Sequence, residues 1–141
     1  MKYYHVAAEN EVDKIYNNGI FANDRNEIIL VVLKDDFLLK KFILDVYAYE
    51  ELGVDIYCAF EISSTGVEGS LFETKIKSMF SGSYKVSKQP HIDRKYIKPF
   101  KGEESYQGMG LIEGVFPVEN KEKFTDEYKH QVLEYLQEVG S

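Results

Sequence analysis

The chain has 141 residues, is 44% hydrophobic and 29% charged, and carries 24 acids against 17 bases for a net charge of −7. That size and composition predict one domain with a core large enough to need neither disulfide nor metal, and they exclude a disordered or collagen-like chain. The acidic balance argues against a protein that coats nucleic acid, no apolar run approaches the roughly 20 residues of a membrane span, and the opening MKYYHVA lacks a signal peptide's apolar stretch, so the expectation is a soluble cytoplasmic domain.

Lys2–Ala7 reads as a short strand rich in Tyr and Val. A helix follows from about Asn10 to Asn18, with Val12, Ile15 and Tyr16 on one face. Gly19 stands where a left-handed residue would end it in a Schellman motif, with Ile20 packing back on Ile15. Phe21–Asn26 is a turn built on Asn23 and Asp24. Glu27–Leu33 (EIILVVL) is a nearly unbroken apolar run of strand length, which suggests a strand covered on both faces.

Asp35 and Asp36 are candidate caps for a helix running to about Leu52, ended by Gly53. Its expected buried stripe is Leu38, Leu39, Phe42, Ile43, Val46 and Tyr47. Val54–Ile62 is a candidate central strand and Ser63–Ser70 a small, polar loop. Leu71–Phe80 is ambiguous between helix and strand. Ser83–Ser87, Tyr96–Phe100 and Leu111–Val118 read as strands, with a loop over Gly102–Gly110. The closing helix starts near Thr125, with Tyr128, Val132, Tyr135, Leu136 and Val139 as its apolar stripe. Helices and strands alternate early, and strands dominate later. That order favours α+β with a curved or split sheet, flanking helices and a C-terminal helix. The chain reads as a single domain over 1–141, with 102–141 as a candidate C-terminal extension.

Standard phosphate-loop, dinucleotide, zinc-protease and serine-hydrolase motifs are absent, and the three histidines have no metal-ligand spacing, so no metal site is expected. His130 falls among charges and reads as exposed. Cys58, the single cysteine, falls in an apolar strand and reads as a buried structural thiol. His5 is either a core histidine bonded to backbone or a group that orients a ribose hydroxyl or phosphate in a cleft. Tyr3, Tyr4, Tyr47, Tyr49 and Tyr57 read as core or edge residues, some of which could stack a nicotinamide or adenine ring. Eight bases crowd residues 75–101, either as a solvated face or as a groove for an anionic ligand. Arg25 and Arg94 are the only arginines, the two places where a planar fork could clamp a phosphate.

The opening YYHVAAENEVDKIYNNGIF resembles the start of ADP-ribosyltransferase-fold proteins, in which a strand of the form [LY]-Y-H-x-[TA] precedes a short helix ending in Gly-[LI]. DarT-type DNA ADP-ribosyltransferases and RNA 2′-phosphotransferase-like proteins look like this. The segments EIILVVL, DIYCAFEI and PHIDRKYIKPF keep that family's order, so the resemblance covers residues 2–100. It implies an ADP-ribosyltransferase-like split, curved sheet and a pocket for NAD or an ADP-ribose-like nucleotide. His5 would hold the nicotinamide ribose, and Gly19 matches the helix-ending glycine. Tyr4, Arg25 and Arg94 complete the candidate ligand-binding set. Transferase members also need a late glutamate before a strand of the form E-[FLY]-x-V. Here Ser83 stands in that place, ahead of Tyr84-Lys85-Val86, and Glu61, Glu68 and Glu73 fit the motif no better. No catalytic residue is therefore assigned, and the chain is either a transferase or a pseudo-enzyme. The alternative is a non-enzymatic acidic module that binds and regulates a protein partner.

Overall fold

A computed structural model describes residues 1–35, 38–67, 69–101 and 113–140. Asp36, Glu68, the 102–110 loop, Leu111 and the side chain of Val139, all invoked above, lie outside them. The chain is α+β. Its strands are β1 (Lys2–Ala8), β2 (Ile20–Phe21), β3 (Ile28–Leu33), β4 (Ile56–Ile62), β5 (Leu71–Glu73), β6 (Tyr84–Ser87), β7 (His91–Ile92), β8 (Ile97–Pro99) and β9 (Val115–Pro117). The helices are α1 (Val12–Asn18), α2 (Lys40–Tyr47) and the C-terminal α3 (Asp126–Gly140).

Seven strands form one antiparallel sheet in the order β5-β6-β3-β1-β4-β8, with β9 also paired to β4, while β2 and β7 make a separate two-stranded sheet. Side chains alternate across the strands, so each strand feeds two cores. Tyr4, Val6, Val31, Leu33, Tyr57, Ala59 and Tyr84 pack with α2 and α3. Leu30, Val32, Cys58, Phe60 and Ile62 pack with Val12 and Ile15 of α1. Burial on both faces is why β3 and β4 read as nearly continuous apolar runs. Phe116, Val118 and Val132 from the last third of the chain belong to the same cluster as Tyr4 and Tyr57.

Three local expectations change. The second helix begins at Lys40, with no side-chain cap at Leu39, and the Asp35 carboxylate lies 2.7 Å from the terminal ammonium of Met1. Leu38 therefore falls outside the buried stripe and is 73% exposed. The helix continues past Tyr47 as a wider π turn, Ala48–Leu52, before Gly53 stops it in the left-handed conformation. At Gly19 the backbone has φ 82° and ψ −166°, which is no Schellman ending. The residue instead turns the chain straight into β2 under the β7 strand, where a Cβ would collide with the Ile92 carbonyl oxygen.

α2 also buries a charged pair that its sequence does not announce. Lys41 Nζ lies 2.6 Å from Asp45 Oδ1 and donates to the Pro117 carbonyl at 3.0 Å. Asp45 further accepts from the Tyr57 hydroxyl and, at 3.2 Å, from the Glu119 amide. Burial pushes the Asp45 carboxyl up, while Lys41, Tyr57 and Glu119 draw it back. The network ties α2 to β4 and to the segment after β9.

Candidate functional site

The sheet splits beside its central strand. β1 stays paired with β4 from Tyr3 to Ala8, but with β3 only from Lys2 to Tyr4. Beyond the Tyr4–Val31 pair the two strands part, and His5 is the first residue past the opening. Its Nδ1 sits 3.1 Å from the Ile29 carbonyl oxygen, bridging the gap by side chain where the ladder has ended. A carbonyl only accepts, so Nδ1 carries the hydrogen and Nε2 of the neutral ring is an acceptor. Burial pushes the imidazole below its ordinary range, against the pull of the Ile29 bond and of Glu11.

The opening leads into a cleft of about 420 Å³. Its wall runs along β1 from His5 to Ala8, then Glu11, Lys14 and Ile15 of the first helical segment, Gly19 to Asn23, and Glu27 to Ile29. His5 and Gly19 thus meet in one cleft. The position of Gly19 is fixed by close packing, since any Cβ would also stand 2.8 Å from His91 Nε2. His91 in turn bonds the Asn18 carbonyl at 2.6 Å and stacks on Phe21 at 4.3 Å between ring centroids. Phe21 is a strand residue, not part of the turn, and is 57% exposed at the cleft. The turn proper is Asn23–Glu27, where Asn23 Oδ1 accepts the amides of Arg25 and Glu27.

The remaining candidates lie elsewhere. Tyr4 is 1% exposed, faces α2 and packs edge-on against Phe100, so it is a core residue that lines no part of the cleft. Arg94 lines a different cavity, on the other flank of α1, with Tyr16 and Phe60. Arg25 lines a third cavity that adjoins the His5 cleft. Ser83 is buried just before β6, which runs parallel to β1; Tyr84 aligns with Tyr4 through Val31, so Ser83 aligns with Tyr3, away from the split. The acids that do line the cleft are Glu11 and Glu27.

The basic stretch does not form one groove. Lys75, Lys85 and Lys88 belong to the β5–β6 edge, and Lys98 to the β8 strand at the opposite edge, where it pairs with Glu61 at 3.8 Å. Cys58 is buried, donates to the Ala8 carbonyl and has its thiol pushed up to about 12 by burial, which makes it a structural residue. Among the described residues, no group of three or more His, Cys, Asp or Glu is arranged to hold a metal ion. No described helix is long and apolar enough to cross a membrane.

No family model, curated protein or solved structure matches this chain.

Proposed function

We propose that the chain binds NAD or a related ADP-ribose-bearing nucleotide in the cleft between β1 and β3, with His5 accepting a hydrogen bond from a ribose hydroxyl. The observation that carries this reading is the His5–Ile29 bond at the point where the strands part. The bond points Nδ1 at the carbonyl, and burial favours the neutral ring, whose Nε2 accepts. A hydroxyl supplies the hydrogen that such an atom needs, whereas a phosphate oxygen does not. The shared cleft of His5 and Gly19 supports the same reading, because the resemblance implies both for a nucleotide pocket.

The reading is one of binding. Ser83 has no charge to set against a developing cation and lies away from the cleft, so transfer of ADP-ribose by the family's late glutamate is not part of it.

The test is thermal unfolding with and without NAD or ADP-ribose. A ligand at about 100 times its Kd stabilises by roughly 2.7 kcal/mol, enough to read as a shift of several degrees. The parent protein shows the shift and His5→Ala loses it while keeping its fold. Absence of any shift in the parent protein with either nucleotide overturns the proposal.

A further inference from the structure

β5 is the last strand of the main sheet on its side, so its outer edge pairs with no other strand among the described residues. At the far side, β8 ends in Pro99, whose ring nitrogen has no hydrogen to offer a further strand. β5 has no such guard, since its residues are Leu71, Phe72 and Glu73. Phe72 is opposite Val86, which is opposite Ile29, so the three share one face of the sheet. The row ends at the open edge in Phe72, which is 49% exposed. An apolar row that runs to an unpaired edge and stops in an exposed ring is a surface that another strand would continue.

The charge around this row narrows what that strand is. All three residues line a cavity of about 960 Å³, whose rim carries Asp24, Glu27 and Glu73 together with Arg25, Lys75 and Lys88. Three acids meet three bases, so the net charge of −7 lies wholly on the rest of the chain. A second copy meets like charge on the remaining surface taken as a whole, but not here. A strongly acidic or strongly basic partner finds no excess of the opposite sign to bind. A rim of both signs, turned about a twofold axis, can set its acids against the other copy's bases, and such an isologous contact is self-complementary.

We propose that this edge is a dimer contact in which β5 pairs antiparallel with β5 of a second copy. A twofold axis beside Phe72 sets Phe72 against Phe72, Leu71 against Glu73 and Ser70 against Thr74. The two rings then fall on the same face, directly opposite each other, where aromatic cross-strand pairs stabilise a sheet. The ladder is short, so the rings and the joined cavity walls supply most of the contact, and the dimer exchanges with monomer. The inference is independent of the nucleotide reading.

Sedimentation equilibrium tests it. The mass of the parent protein should rise from 16.3 kDa toward twice that value as concentration increases. Phe72→Lys puts like charges across the axis and should weaken association by about tenfold or more. The ring is half exposed, so the melting temperature of this variant, measured in dilute solution, should match the parent's and serves as the folding control. Arg25→Glu with Lys75→Glu leaves one base against five acids on the rim and should also weaken association, by a factor that shrinks as salt rises. Register is read with Phe72→Cys, because the single native thiol, Cys58, is buried. Directly opposite residues of an antiparallel pair stand about 4.5–5.5 Å apart at Cα, within disulfide reach. Mild oxidation should therefore cross-link this variant faster than Leu38→Cys, an exposed position outside the edge. A parent that stays monomeric up to its solubility limit overturns the proposal. So does association that Phe72→Lys leaves unchanged, or cross-linking of Phe72→Cys no faster than that of Leu38→Cys, since either puts the contact elsewhere.

Discussion

His5 Nδ1 reaches the Ile29 carbonyl oxygen across the opening between β1 and β3, and this one side-chain bond replaces the ladder that stops at Tyr4 and Val31. Burial favours the neutral ring, against the pull of this bond. An unfolded histidine titrates near about 6.5, and the folded value lies lower. Between the two values the unfolded chain binds the extra proton, so stability falls as pH drops below about 6.5 and levels off under the folded value. The slope cannot exceed about 1.4 kcal/mol per pH unit for this one group. His5→Gln keeps a donor toward Ile29 and removes the titration. Urea unfolding at pH 7 and pH 5 should show a smaller loss in the variant than in the parent.

Gly19→Ala should be far more damaging than an ordinary helix-end change. The position has φ 82°, which alone costs an alanine about 1–2 kcal/mol, and the new methyl would strike the Ile92 carbonyl. The β2–β7 pair and the cleft wall should loosen together, so melting temperature and NAD response fall in step. A variant that melts like the parent would show that β7 can move aside at no cost.

Lys41→Met should cost about 3–5 kcal/mol, because it leaves the Asp45 carboxylate buried without its cation. Adding Asp45→Leu should recover part of that, limited by the Tyr57 hydroxyl and Glu119 amide that lose their acceptor. Chemical denaturation of the three variants measures both quantities. A loss below about 1 kcal/mol in the single variant would mean that water enters this network.

Cys58 should resist thiol reagents in the native state at neutral pH, since its thiol stays protonated and covered. Reaction should appear only across the unfolding transition. Rapid labelling of the native protein would show that the β1–β4 region opens locally.

The strands were the most legible part of the chain. EIILVVL and IYCAFEI are long apolar runs, and such runs survive as β3 and β4 because both sides of the sheet are covered. The start of α2 was not legible, because Asp35 is a good cap by composition and only the folded chain shows the helix beginning at Lys40 without a side-chain cap. Lys41 and Asp45 have the spacing of an ordinary surface pair, and nothing local reveals that this helix turns that face inward. His5 and Gly19 could be named from the pattern around them. That β1 and β3 part between Tyr4 and His5 could not, since register depends on pairing partners that lie far along the chain. The same reason divides the lysines of residues 75–101, neighbours in sequence, between two edges of the sheet.

The place of β1 at the centre of the sheet also bears on how the molecule comes to be. Tyr4 meets Val31, His5 meets Phe60, and Ala8 meets Tyr57, so every partner of the first strand is distant in the chain. Until β4 exists, β1 has only its three-residue ladder to β3 to hold it. The strand that is made first is completed late, and closing it requires large loops to lose their freedom beforehand. Refolding should accordingly run in the millisecond-to-second range of strand-dominated topologies rather than at helical-bundle speed. The cleft, whose two walls are β1 and the turn leading into β3, should take shape only in that final closure.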